Sequence, residues 1–213
     1  YYLNNTVKSR ALIESAVRKG VKHFIFSSTA AVYGTPEECP VSENAQLRPE
    51  SPYGSSKLMT EIMLRDTAAA HDFRYTALRY FNVSGADPKM RTGQSTKGAT
   101  HLIKVACETA TGKRPFMEVY GTDYPTPDGT CIRDYIHVAD LASAHLLALH
   151  TLDARSPMVY NLGNGRGFTV REVISAAEQV TGKRIPVVEG PRREGDPAIL
   201  VASSEKITAE LGW

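Results

Sequence analysis

His23-Phe24-Ile25-Phe26-Ser27-Ser28 is a run of mostly aromatic and β-branched residues, too short for a helix and typical of a buried strand. Downstream, Ser51-Pro52 supplies an N-cap and a proline at the first helical position. Leu58, Met59, Ile62 and Met63 carry a helical face from there to about His71, and Thr76-Ala77-Leu78-Arg79-Tyr80-Phe81 reads as the next strand. Upstream, Leu3, Val7, Leu12, Ile13, Ala16 and Val17 recur at helical spacing over residues 2–18, with Gly20 where a helix would close. Helix, strand, helix, strand, with connections long enough to cross over, predicts an α/β fold: a parallel sheet covered by helices.

Past the Pro-punctuated loop at 35–50 and past residue 85 the texture changes. The sequence predicts a helix at 99–110, a strand over Met117-Glu118-Val119-Tyr120, a helix at 138–151 and a strand at 158–162. Thr169-Val170-Arg171-Glu172 is a capping box opening a helix at 170–181, and Ile185–Val188 reads as one more short strand. No repeat or flexible linker separates the halves, so the second half is expected as a lobe woven onto the first.

The 213 residues correspond to one domain or one plus a lobe, at about 150 residues per domain. With 42% hydrophobic and 23% charged residues the chain is neither disordered nor fibrous. A formal charge of +2 gives no general attachment to nucleic acid or anionic lipid. No membrane span or signal sequence is visible, which makes a soluble cytoplasmic protein the expectation. Cys39, Cys107 and Cys131 lie in no C-x-x-C and are expected as reduced thiols; the six histidines form no H-E-x-x-H, so no metal site is expected. No G-x-G-x-x-G stands between a strand and a helix, and the sequence opens at Tyr1-Tyr2 inside a helical pattern. The expectation is a fragment lacking the first βαβ units, unable to bind a dinucleotide by itself.

Tyr53-Gly54-Ser55-Ser56-Lys57 puts a phenol and an ammonium one helical turn apart. A tyrosine acting as general base needs its pKa of about 10 lowered, and a fixed cation nearby does that. Ser27-Ser28-Thr29 places hydroxyls at the carboxyl end of the preceding strand, where open α/β sheets bind ligands; Ser27 and Ser28 could equally cap the strand end.

Ser27–Gly34 (Ser-Ser-Thr-Ala-Ala-Val-Tyr-Gly), Ser51–Lys57 and Arg79–Ala86 (Arg-Tyr-Phe-Asn-Val-Ser-Gly-Ala) resemble successive motifs of the extended short-chain dehydrogenase/reductase family. Within it the resemblance is to the UDP-glucose 4-epimerases, reinforced by Asp123–Val138, Tyr160-Asn161-Leu162-Gly163 and Pro191–Asp196, almost end to end. It implies a Rossmann-type doubly wound parallel sheet with its N-terminal strands missing. Residues 1–85 would be the C-terminal part of an NAD-binding domain. Residues 86–213 would be mainly a smaller UDP-sugar-binding α/β lobe, with segments around 121–165 returning to the first domain.

The resemblance also implies roles. Tyr53 would act as the base at the sugar 4-hydroxyl, Lys57 would bond the nicotinamide ribose of NAD and lower the phenol pKa, and Thr29 would bridge the reacting oxygens. Asn4 or Asn5, with Asn4 favoured, and Phe81 would join Thr29, Tyr53 and Lys57 beside the cofactor. Arg133 and Arg193 would hold the diphosphate of UDP-glucose or UDP-galactose, with Arg192 as scaffold. Asp196 would accept from the uridine ribose, and the backbone of Glu118, Val119 and Tyr120 would meet the uracil. Asn82 and His101 would contact the diphosphate-sugar end, and Leu200 would stand beside the sugar C2 substituent. Lys104 departs from the proline common there. Two long helices would form a homodimer interface.

Dehydratase relatives place Asp-Glu after the strand-end threonine; here those positions are Ala30-Ala31. Epimerases of UDP-uronates, UDP-pentoses or UDP-N-acetylhexosamines would share the same machinery. A non-catalytic sensor module of the same fold would commonly lack the Tyr/Lys pair, which this sequence keeps.

Overall fold

The computed structural model describes residues 1–213. A π-helical stretch, Tyr2–Val7, runs directly into α1 (Lys8–Arg18), so the amphipathic run is one rod with a widened start. Gly20 closes it at φ 71°: the Val21 amide reaches the Ala16 carbonyl and the Gly20 amide reaches that of Val17, a Schellman closure favouring a residue without Cβ.

β1 (His23–Thr29), α2 (Pro52–Ala70) and β2 (Arg74–Tyr80) follow in the order the sequence predicts. Ser51 caps α2 by accepting the Gly54 amide at 3.1 Å. Then come β3 (Asn82–Ser84), α3 (Leu102–Ala110), β4 (Met117–Tyr120), β5 (Ile132–His137), α4 (Val138–Thr151), β6 (Met158–Leu162), β7 (Gly167–Thr169), α5 (Val170–Thr181), β8 (Val187–Gly190), β9 (Ile199–Leu200) and α6 (Glu205–Leu211). The Thr169–Glu172 capping box is formed.

The strands β1, β2 and β6 make one parallel sheet in the order β1-β2-β6. Alternation along its strands feeds two cores. Phe26, Tyr75 and Ala77 pack with Ile13 of α1 and Leu64 of α2. Leu78, Tyr160 and Leu162 pack with Ala144 and Ala148 of α4 and Ile207 of α6. A parallel sheet buried by helices on both faces is the Rossmann-type arrangement.

A second sheet is built on β5, which pairs with β3 and β9 in parallel and with β7 antiparallel. The parallel pair β4-β8 has its own core, where α3 and α5 contribute Ala106 and Ile174 against Met117, Val119 and Ile185. No helix is long and apolar enough to cross a membrane.

Three boundaries differ from the sequence reading, the first being the strand expected at Thr76–Phe81, which runs from Arg74 to Tyr80. The strand expected at Ile185–Val188 runs from Val187 to Gly190, because register with β4 sets its limits and Ile185 turns into the core. The helix expected from residue 99 begins at Leu102. β3, β5, β7, β9 and α6 carry no strong local signal; the strands among them exist through pairing with distant segments.

Candidate active site at the carboxyl ends of the parallel strands

Thr29 ends β1 in register with Tyr80 at the end of β2. Its backbone is extended and its hydroxyl accepts the Ala31 amide at 3.2 Å, capping a 3-10 turn over Ala30–Val32. α2 starts above this turn with Tyr53 and Lys57 on successive turns. The Lys57 ammonium donates to the Ser27 carbonyl at 2.9 Å and lies 6.0 Å from the Tyr53 ring centre. Thr29, Tyr53 and Lys57 therefore converge.

Gly54 permits this approach: a Cβ there would collide with the Ala31 carbonyl oxygen, a rigid backbone atom. Gly54→Ala should cost about 1–3 kcal/mol through overpacking and lift Tyr53 away from Thr29. Denaturant melts and turnover check this; a variant with unchanged stability and activity would contradict the close fit.

Burial dominates and pushes the Tyr53 phenol pKa up, with the nearby Thr29 hydroxyl opposing it only in part. Burial also lowers the Lys57 ammonium. The lowering of the phenol expected from the Tyr53–Lys57 spacing is not realised in this arrangement, because the ammonium is directed to a backbone carbonyl and burial dominates.

Of the two asparagines, Asn5 meets α2, donating to the Ser56 hydroxyl at 3.1 Å, while Asn4 is exposed with its side chain unbonded. Phe81 is buried in a core cluster with Val32, Tyr33, Val41 and Ala202, and Leu200 lies half-buried against it. Asn82 donates to the Asp134 carbonyl at 3.0 Å.

A second group forms around β5 and β4. The Arg133 Nη2 is buried without a hydrogen-bond partner, 3.4 Å from the Asp196 carboxylate. The Arg193 guanidinium stacks on the Tyr120 ring at 3.7 Å, and the Tyr120 hydroxyl donates to Glu118. Strand alternation turns Val119 inward. Burial pushes the thiol of Cys131, next but one to Arg133, up. Arg192 pairs with Asp123 at 2.7 Å and stacks on Tyr124, a scaffold role. His101 caps the start of α3 beside Gln94, its Nδ1 2.7 Å from the amide nitrogen, and α3 runs regularly through Lys104, which pairs with Glu108.

Sequence reasoning missed Tyr124, whose buried hydroxyl has no partner in the same neighbourhood. It also missed Asp134, a fully buried carboxylate accepting the amides of Asn164, Gly165 and Ala202 at 2.7, 3.0 and 3.1 Å. A charge inside the motif around Arg133 was the available signal.

Residues 1–163 match the model of the NAD dependent epimerase/dehydratase family. A UDP-glucose 4-epimerase of Azospirillum brasilense is 56% identical over 214 residues, covering 100% of this chain and 62% of its own length. The solved UDP-glucose 4-epimerase of Bifidobacterium longum, in complex with NAD+ and UDP, superposes with a TM-score of 0.96 at 43% identity, over 100% of this chain and 64% of that one. The UDP-Glc/GlcNAc 4-epimerase of Campylobacter jejuni gives 0.82 at 50% identity, over 100% and 65%. This chain thus spans less than two thirds of the length of each of these relatives. A parallel sheet whose carboxyl ends hold Thr29, Tyr53 and Lys57 together, and a family match over most of the residues that build it, lead to one conclusion: the chain belongs to the NAD dependent epimerase/dehydratase family.

Proposed function

We propose that the protein is a UDP-glucose 4-epimerase, interconverting UDP-glucose and UDP-galactose through a 4-keto sugar with NAD as resident cofactor, and that it works in the cytoplasm. The observation that carries the reading is the convergence of Thr29, Tyr53 and Lys57 at the carboxyl ends of parallel strands. Relatives of the same fold are described as UDP-glucose 4-epimerases. Residues 1–85 would serve mainly the cofactor, and residues 86–213 mainly the UDP-sugar, with segments around 121–165 returning to the first unit.

The donor set fits the nicotinamide side of NAD: Lys57 spends one of its three protons on Ser27, leaving donors for a ribose beside Tyr53. When bound, NAD takes the hydride from C4 and returns it to the opposite face of the ketone. Tyr53 removes and restores the proton of the 4-hydroxyl, and Thr29 holds the oxygens between which it moves. The phenol, raised by burial, comes down when positive charge stands beside it.

Asn4 or Asn5 and Phe81 flank the cofactor side in this reading. Arg133 and Arg193 bind the diphosphate, whose oxygens would satisfy the orphaned Arg133 Nη2. Asp196 accepts from the uridine ribose, the Glu118–Tyr120 backbone meets the uracil, and Asn82 and His101 take the diphosphate-sugar end. Incubating the full-length protein with UDP-galactose and NAD should yield UDP-glucose without net reduction of NAD. A protein that forms no epimer would reject the reading.

A second substrate pair has a specific observation behind it, the 50% identity to the Campylobacter jejuni UDP-Glc/GlcNAc 4-epimerase. Leu200 is apolar and offers an acetamido group no hydrogen bond. UDP-glucose and UDP-galactose should therefore be strongly preferred over the N-acetylhexosamine pair, with Leu200→Ser narrowing the ratio of kcat/KM. Comparable parent values for the two pairs would remove Leu200 as a gate.

A homodimer completes the proposal. Leu3, Val7 and Leu12 on the first helical rod and Met59 and Ile62 on α2 are exposed large apolar side chains. Pairing these helices with their copies would cover them. Light scattering at micromolar concentration should return the dimer mass; a monomer would contradict this.

A further inference from the structure

Ser28, Arg79 and Asn161 are register partners across β1, β2 and β6. All three are buried and form a polar row across the sheet. Over them lies Glu61 of α2, 6% exposed, against an Arg79 that is 4% exposed. The Arg79 Nε and Nη2 both donate to this carboxylate, Nη2 at 2.6 Å, and the Ser28 hydroxyl donates to it as well. The remaining Arg79 nitrogen, Nη1, donates to the Tyr33 hydroxyl at 2.9 Å, which in turn donates a hydrogen bond to Asn161 Oδ1 at 2.7 Å.

A buried ion pair is weak as a stabilising device, since well-packed apolar replacements are often neutral or better. What this one joins is specific. Glu61 follows Tyr53 and Lys57 at four-residue steps, so all three lie along one stripe of α2. Ser28 is the neighbour of Thr29, and Tyr33 ends the turn that Thr29 caps. α2 is thus tied to the end of β1 twice, by Lys57 to the Ser27 carbonyl and by Glu61 to the Ser28 hydroxyl. The turn beyond Thr29 is tied to the same guanidinium.

We propose that Arg79 and Glu61 are positioning residues: their buried pair, with Ser28 and Tyr33, sets the separation between Thr29 on β1 and the Tyr53–Lys57 stripe of α2. Their effect on the reaction passes through those groups, and the inference rests on the epimerase reading. Neither side chain meets substrate, so their loss should appear in kcat and leave KM alone.

The test uses the full-length protein with NAD and UDP-galactose and two variants. Ser28→Ala removes one strut without stranding a charge. Glu61→Met combined with Arg79→Met replaces the pair by apolar side chains of similar length. Both should keep KM within about twofold and lower kcat about tenfold, and the double variant should keep its thermal midpoint. Unchanged kcat in both variants, or a loss of kcat that only tracks a loss of folded protein, would overturn the positioning role. An inactive parent protein would instead reject the epimerase reading, and this inference with it.

Discussion

Tyr53→Phe should lower turnover by roughly 10²–10⁴-fold, the span general acid–base catalysis covers, while leaving affinity for UDP nearly intact. Phenylalanine keeps the ring, and with it the contact to the Tyr1 ring at 5.6 Å, so α2 should hold its place. Only the hydroxyl is lost, the one group that the proposed mechanism gives the proton of the sugar. The shift of this phenol gives the pH signature. Burial raises its pKa and the positive charge of bound NAD would lower it again, so parent turnover should rise with pH as the phenol ionises. The residual activity of the variant should lack that rise. Near-parental turnover in the variant would move the base elsewhere.

Arg133→Ala should weaken UDP binding by roughly 10–10²-fold, the loss of a charge-assisted phosphate contact worth about 1.5–3 kcal/mol. The guanidinium is held from behind by Nη1 on the Ile132 carbonyl at 2.9 Å, while Nη2 is buried and unbonded. Its one neighbour of opposite charge is the Asp196 carboxylate at 3.4 Å, so a diphosphate oxygen would supply the hydrogen bond it lacks. Arg133→Lys should recover part of the affinity but not the two-pronged geometry. Calorimetric titration with UDP decides, and an affinity unchanged in Arg133→Ala would remove it from the diphosphate site.

The elements that carry this chemistry were legible because their signals are local. The Phe24–Phe26 run, the Ser51-Pro52 cap and the Thr169–Glu172 capping box each state their structure within a few residues. β5 was not legible. Its Asp134 looks out of place in a strand until three backbone amides from residues 164, 165 and 202 are seen to bond it, and no local pattern foretells such partners. β9, two residues long, exists only through its register with β5.

The site divides in the same way. That Tyr53 and Lys57 share a helix face and that Thr29 ends a strand could be read from spacing and strand-end position, while their proposed roles came with the family resemblance. Spacing does not tell which of Asn4 and Asn5 meets α2; the structure turns Asn5 towards Ser56. Nor could spacing foresee that the Lys57 ammonium would bond a carbonyl of β1 and leave burial to govern the phenol. Glu61 and Arg79 stand 18 residues apart; only the register of β1 and β2 under α2 brings them together.

The most direct test of the epimerase reading follows the hydrogen at C4. With UDP-galactose deuterated at C4 and the full-length protein holding NAD, the UDP-glucose formed should keep its deuterium at C4 in ordinary water, because the hydride leaves and returns within one site. UDP-glucose that has lost the label to solvent, or no UDP-glucose at all, would contradict the account.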